Sequence, residues 1–272
     1  MVEETPTPDW AAFAQAGAEF GAPLTDEQVQ AFKEYLRLLR EWNEKFNLTA
    51  ISQPQAMVTK HFLDSLTVAS VVDLPAAKNL VDVGTGAGFP GLALKIAFPH
   101  LQLTLLDALQ KRLRFLERVC EELRLRDVTF VHGRAEDAVL PKRFKVCGLD
   151  QSLRERFDVV TARAVAPLDV LVELLLPYAK LGGWVVAMKG PDVAAEITAA
   201  NVGATLLGGG RIASQQLMLP AIDDQGPIGR SLVTIKKEQK TPPTYPRLPG
   251  SARKQPLGSN HPRRERNTPR FG

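Results

Sequence analysis

The run Leu80-Val81-Asp82-Val83-Gly84-Thr85-Gly86-Ala87-Gly88-Phe89-Pro90-Gly91 puts an acid, alternating glycines and a helix start in one short stretch. Glycine lets the backbone approach a ligand closely and adopt conformations closed to other residues, so a strand running through such a turn into a helix suits a nucleotide-like cofactor. The spacing Gly86-x-Gly88-x-x-Gly91 also satisfies the dinucleotide fingerprint, so the turn alone does not choose the cofactor. Asp82, just before the turn, is expected to face the amino-acid portion of S-adenosylmethionine; beside a diphosphate it would be repulsive. The next apolar run ends in Asp107, placed to accept hydrogen bonds from both ribose hydroxyls or to cap the following helix. NAD enzymes share that device, so it supports a nucleoside without choosing one. The run after that leads into Gly133-Arg134-Ala135-Glu136-Asp137, where a backbone amide and a carboxylate can read an adenine edge. Two cations reach the same edge, Arg163 after Phe157–Ala162 and Lys189 in Met188-Lys189-Gly190-Pro191. The plainer reading of Arg163 is a surface pair with a neighbouring acid. His61 and Asp64, three residues apart on a helix, invite a catalytic reading but are more simply a local hydrogen bond or packing contact.

These residues need a scaffold that brings strand ends together. Short apolar runs near Leu80–Val83, Leu101–Asp107, Val128–His132, Phe157–Ala162, Trp184–Met188, Arg211–Leu219 and Ser231–Lys236 predict seven strands. Helical patterns near Pro90–Ala97, Gln110–Leu125, Leu168–Ala179 and Val193–Val202 alternate with the first five, which predicts a parallel α/β sheet whose last two strands form a hairpin. Ligands then collect at the carboxyl ends of the strands, where the Asp82 turn, Asp107, Glu136 and Arg163 all fall. Upstream, Thr25 and Gln28 form a capping-box pattern ahead of Val29, Phe32, Leu36 and Leu39, and a second helix is predicted from Pro54 to Ala69. The expected organisation is a helical element over residues 1–75 packed on the core, a Rossmann-like domain over 76–238 and a basic, Pro-rich tail over 239–272. A polar, basic insert at 140–156 interrupts the alternation.

Composition fits an enzyme without an anchor. The 272 residues are 44% hydrophobic and 24% charged, ordinary for a globular protein. No apolar run reaches the ~20 residues that cross a bilayer and no signal peptide is visible, so a cytoplasmic protein is expected. Cys120 and Cys147 have no clustered Cys or His beside them, which argues against a disulfide framework or a structural metal. The net charge of +4 is uneven. Residues 240–272 carry eight Lys or Arg against the single acid Glu265, so positive charge is concentrated where a polyanion would meet it.

With these residues in view, the sequence resembles the bacterial 16S rRNA (guanine-N7) methyltransferase family, also called the glucose-inhibited division protein B family, over about Leu24 to Leu257. The likeness rests on Trp42-Asn43 with Asn47-Leu48-Thr49, His61-Phe62-Leu63-Asp64-Ser65-Leu66, the Asp82–Gly91 turn, Lys111-Arg112 with Phe115-Leu116, Arg163-Ala164-Val165-Ala166, Met188-Lys189-Gly190 and Tyr245-Pro246-Arg247. It implies a seven-stranded class I S-adenosylmethionine-dependent methyltransferase, monomeric and cytosolic. The implied target is the 530-loop guanine of 16S rRNA conventionally numbered 527, in free RNA or the 30S subunit. Cofactor contacts carry over onto Gly84, Phe89, Asp107, Ala108, Leu109, Ala135, Glu136 and Arg163, beside Asp82, Gly86 and Gly88 from the turn itself. Guanine N7 has an in-plane lone pair and no proton, so transfer to it needs alignment rather than a general base. Arg163 and Lys189 are the expected base-positioning residues, with any arginine contact confined to O6 because N7 must stay free. Lys111, Arg112, Lys189, Arg230, Lys236 and Arg247, with Lys237, are candidates for RNA phosphates. Two other readings use the same residues: an RNA-binding ribosome assembly factor without catalysis, and an NAD(P)-dependent oxidoreductase, which Asp82 disfavours.

Overall fold

A computed structural model describes residues 7–220 and 226–258. All seven apolar runs are strands of one sheet: β1 (Asn79–Val83), β2 (Gln102–Asp107), β3 (Val128–His132), β4 (Phe157–Arg163), β5 (Ala179–Lys189), β6 (Gly209–Leu219) and β7 (Ile228–Lys237). Their order is β3-β2-β1-β4-β5-β7-β6. Strands β1 to β5 pair in parallel, and β7 runs antiparallel between β5 and β6. This is the predicted Rossmann-like sheet with its terminal hairpin. The chain leaves β1 for β2 and β3 on one side and returns to β4 on the other, so the carboxyl ends of β1 and β4 flank a topological switch point, where an open α/β sheet leaves a crevice.

Both faces of the sheet are covered. Because side chains alternate along a strand, Leu80 faces one core while Val81 and Val83 face the other. The first face carries the N-terminal helices α1 (Trp10–Glu19) and α2 (Asp26–Phe46). It also carries residues 54–70, where α3 (Pro54–Met57) and α4 (Asp64–Leu66) flank a π-helical turn at Val58–Leu63 and a 3-10 turn follows at Thr67–Ser70. Helices α5 (Gly91–Ala97) and α6 (Gln110–Glu122) complete this face. The opposite face packs α7 (Ala135–Val139), α8 (Leu168–Leu175) and α9 (Ala194–Leu206). A short helix, α10 (Ser251–Lys254), lies in the C-terminal segment.

The Thr25–Gln28 capping box is present, and the Gln28 amide also donates to the carbonyls of Ile96 and Ala97 at the end of α5. Helix α2 is thereby tied to the sheet face rather than only laid on it.

Four elements differ from the sequence expectation. Helix α1 was not anticipated: Asp9 caps it by accepting from the Ala12 amide, and only Phe13 and Gly17 are buried, a face too sparse to read as a period. The uniform helix expected over 54–69 is broken by the π turn, the kind of irregularity that concentrates at functional sites. Strand β5 begins at Ala179, where a continuation of the preceding helix was expected. Gly182 and Gly183 look like a turn in sequence, but a Cβ on Gly183 would lie 2.7 Å from the Phe157 carbonyl, so the glycine permits close strand approach. The basic segment after β7 is packed through residue 258: Arg154 of the 140–156 insert donates to the carbonyls of Thr241, Pro242 and Tyr245, and the Thr241 amide donates to Glu155. The part of the extension beyond Gly258 lies outside the described residues.

Candidate active site

The glycine-rich turn closes over the switch point by its own hydrogen bonds. The amides of Gly84 and Thr85 both donate to the Leu106 carbonyl, at 2.8 and 3.0 Å, locking β1 to the end of β2. Gly84 has φ of +75°, and a Cβ there would sit 2.8 Å from the Val165 side chain. Gly86, at φ of +60°, would project a Cβ into open space. From beneath, the buried Tyr35 hydroxyl of α2 donates to the Ala87 carbonyl.

Asp82 takes a different position from the one expected. It is fully buried and does not line the cavity. One carboxylate oxygen accepts from Thr85 Oγ1 at 2.7 Å and the Gly91 amide at 2.9 Å, closing the turn across its base. Burial raises its pKa from 3.8 to about 6, against the lowering effect of those two bonds. Gly88 also turns inward, where a Cβ would collide with the Tyr35 hydroxyl and Leu116.

A cavity of about 620 Å³ opens above the turn, lined by Gly84 to Ala87, Phe89, Asp107 to Leu109, Gly133 to Glu136 and Arg163 to Val165. This volume is within the range of small-molecule and cofactor sites. Asp107 accepts from the amides of Gly86 and Leu109, both at 2.9 Å, and from Arg112 at 3.3 Å. An ionised carboxylate has about four lone-pair sites, so capacity remains for a ribose hydroxyl. The Gly86 backbone facing the space, the acid at the end of β2 and the acid at the end of β3 fit a nucleoside with an amino-acid arm, as S-adenosylmethionine requires.

Sequence reasoning missed one wall. Gly250, Ala252 and Arg253 line the same cavity. The Gly250 amide donates to Glu136 at 2.9 Å, and Arg253 donates to the Val165 carbonyl. Arg247 anchors this strap by a two-pronged pair with Glu173, which is only 1% exposed. Arg247, expected at an RNA phosphate, makes this tie in the structure through Nε and Nη2. The Pro249-Gly250 pair is a turn signal in the sequence, and Gly250 takes a φ of +85° there.

Arg163 is the most constrained group of the site. It donates to the Lys60 carbonyl at 2.9 Å, to Asp64 at 3.0 Å and to His61 Nδ1 at 3.1 Å, and it lies over the Phe89 ring. His61 and Asp64 thus meet on Arg163, although the sequence suggested only a contact local to their helix. Burial, then the guanidinium charge, lowers the His61 pKa to about 3, so the ring is neutral. A guanidinium only donates, so Nδ1 is the acceptor and the proton sits on Nε2, which donates to Thr49 Oγ1 at 2.8 Å. Both nitrogens are engaged, and His61 is no free base. The ring stacks on Phe89 at 4.7 Å. Asp64 also accepts from Arg230 Nε at 3.0 Å, so one buried carboxylate holds two arginines.

A second cavity of about 560 Å³ adjoins the first and shares His61, Arg163 and Ala164 with it. Lys60, Lys189 and Arg230 also line it, and Lys189 pairs with Glu196 at 2.7 Å. Of the other cations named from the sequence, Arg112 lines the first cavity. Lys111 contacts the Phe46 carbonyl, Lys236 lies over Trp184 and Lys237 is buried against the carbonyls of Leu176 and Leu207, so none of these three lines either cavity. Among the described residues no group of three or more His, Cys, Asp or Glu could hold a metal ion, and no helix is long and apolar enough to cross a membrane.

Comparison with known proteins places this geometry in a family. The family model for rRNA small subunit methyltransferase G (GidB) matches residues 28–218, which include the glycine-rich turn, Asp107, Glu136, Arg163 and Lys189. The ribosomal RNA small subunit methyltransferase G of Alkaliphilus metalliredigens is 46% identical over 88% of this chain and 95% of its own length. That of Geobacillus kaustophilus is also 46% identical, over the same shares, and that of Desulforamulus reducens is 43% identical over 89% of this chain and 96% of its own. Identity at this level across nearly the full length of both chains leaves one assignment: this chain belongs to the rRNA small subunit methyltransferase G family.

Proposed function

We propose that the chain transfers the methyl group of S-adenosylmethionine to N7 of a guanine in the 530 loop of 16S rRNA, the position conventionally numbered 527. The reading further holds that it acts as a cytoplasmic monomer on free 16S rRNA or the 30S subunit. The observation that carries it is the pair of adjoining cavities with Arg163, Ala164 and His61 as their common wall. One is built for a nucleoside, and the other is lined by the cations Lys60, Arg163, Lys189 and Arg230 together with the acids Asp64, Asp192 and Glu196.

The cofactor supplies an electrophilic methyl on a sulfonium when bound. Asp107 and Glu136 hold the nucleoside end, and the backbone of Gly84 to Ala87 supports the amino-acid end. Asp82 acts one layer behind, by fixing the turn. Arg163, held on three sides and stacked on Phe89, is a rigid boundary between the cavities. Its charge is offset in part by Asp64, a carboxylate it shares with Arg230, which weakens the cation beside a sulfonium. The neutral, doubly bonded His61 suits a reaction that removes no proton from the attacking atom. Lys60 and Arg230 stand where phosphates flanking the base would pass, and duplex RNA, whose N7 lies in a deep, narrow groove, would not fit.

The test is incubation with methyl-labelled S-adenosylmethionine and 16S rRNA, free or in 30S particles from cells lacking the modification, followed by nucleoside mapping. Label in 7-methylguanosine of the 530 loop is the expected result. Cofactor binding without label in any substrate would overturn the target, and absence of cofactor binding would overturn the enzyme reading.

A further inference from the structure

The second cavity carries a donor and an acceptor side by side. Lys189 Nζ lies 2.7 Å from Glu196 Oε2 and 3.1 Å from the Ala166 carbonyl. An ammonium has three N–H groups, so one remains for another acceptor. Glu196 Oε2 also accepts from the Leu168 amide at 2.7 Å, while Oε1 has no partner among the described residues. The side chains are 14% and 32% exposed, and both line the second cavity. Nothing in the cofactor cavity uses either group.

A guanine presenting N7 to the shared wall of Arg163, Ala164 and His61 turns its Watson–Crick edge, which adjoins N7 at O6, along the second cavity rather than into that wall. On that edge O6 is an acceptor, and N1–H and the 2-amino group beside it are donors. A lysine ammonium next to a carboxylate is the matching sequence of donor and acceptor. Adenine presents the reverse order, an amino group where guanine has O6 and a bare N1 where guanine has N1–H. An arginine fork on O6 and N7, the common way to read guanine, would occupy the attacking atom, whereas this pair leaves N7 free. Pairing through the same edge would block the read-out, so the target base is unpaired.

We propose that the Lys189–Glu196 pair recognises the Watson–Crick edge of the target guanine, Lys189 donating to O6 and Glu196 Oε1 accepting from N1–H. This rests on the guanine-methylation reading above and assigns its base specificity to Glu196, a residue outside the turn and the cofactor wall.

The experiment compares 16S rRNA carrying guanine, inosine or adenine at the target position, with labelled S-adenosylmethionine and the full chain. Substrates compete in one reaction, so their ratio does not depend on the fraction of folded enzyme. Inosine keeps O6 and N1–H, and wild type is expected to accept it within about tenfold of guanine while rejecting adenine by at least about a hundredfold. Glu196→Gln preserves size, and its amide still has an oxygen for the Leu168 amide, but its NH₂ then meets N1–H donor to donor. This variant is expected to narrow the guanine-to-adenine ratio by about tenfold or more. Lys189→Met is expected to narrow it as well. A fall in rate with the guanine-to-adenine ratio unchanged in both variants would overturn the proposal and leave the pair as a tie between β5 and α9. Absence of label on guanine with wild-type enzyme is a different outcome, and it would overturn the methylation reading itself.

Discussion

Asp64 offers the sharpest test of how the site is held together. Its buried carboxylate accepts from Arg163 Nη1 and Arg230 Nε, both at 3.0 Å, and these arginines are 16% and 23% exposed. Asp64→Asn keeps the shape and one acceptor oxygen but removes the charge the two guanidiniums share. Removing one partner of a buried ion pair costs about 3–5 kcal/mol. Water reaches both arginines in part, so the lower end, about 3 kcal/mol, is expected here. With a urea slope of about 3 kcal/mol/M, that loss moves the unfolding midpoint down by about 1 M. Arg163 retains His61 Nδ1 and the Lys60 carbonyl but loses the contact that sets its reach into the shared wall. A displacement of about 1 Å at a reacting centre costs about a hundredfold in rate, and that is the expected fall in single-turnover methyl transfer. Cofactor affinity, set by Asp107, Glu136 and the turn, is expected to change by less than about threefold, or 0.6 kcal/mol. Urea unfolding followed by circular dichroism, single-turnover transfer and calorimetric cofactor binding read the three quantities separately. A midpoint within about 0.2 M of wild type together with undiminished transfer would refute the claim that Asp64 organises the two arginines.

Three further outcomes follow from the same geometry. His61, with its folded pKa lowered to about 3, stays neutral while the unfolded chain protonates it near 6.5, so its contribution to stability is present above pH 6.5 and is lost as pH falls toward 3; it should amount to about 2 kcal/mol lost by pH 5, and unfolding curves of His61→Gln should lack it. Asp82 works in the opposite direction, because a carboxyl raised from 3.8 to about 6 favours the folded state below pH 3.8 and loses that contribution, about 3 kcal/mol, as pH rises through 6. Asp82→Asn should remove this slope in pH-dependent unfolding and leave cofactor affinity within about tenfold, and a complete loss of binding by a folded variant would restore Asp82 as a direct contact. Glu173→Gln loosens the Arg247 anchor of the strap that forms one wall of the cofactor cavity; calorimetry should show weaker cofactor binding by about tenfold, or 1.4 kcal/mol, and limited proteolysis should show faster cleavage within 240–258.

The amino-acid sequence by itself determined the architecture. All seven strands, the capping box of α2 and the glycine-rich turn were legible because each is written in near neighbours: a short apolar run, a Thr and Gln three apart, an acid and glycines on one strand-to-helix turn. The carboxyl-end location of Asp107, Glu136 and Arg163 followed from the alternation of strand and helix. The tertiary structure alone decided what the charged side chains do. Asp82 was correctly placed on β1 but faces the base of the turn, because the Gly91 amide and Thr85 hydroxyl claim its carboxylate. His61 and Asp64 look like partners three residues apart, yet both bind Arg163, about a hundred residues away. Arg230 reaches Asp64 across 166 positions, and Gly250 reaches Glu136 across 114. Local propensity acts over a turn or a strand, whereas the partner of a buried charge is whichever opposite group the packed layers bring within 3 Å. No pattern along the chain encodes that distance, so the second cavity, the strap and the Lys189–Glu196 pair became visible only once the sheet was assembled.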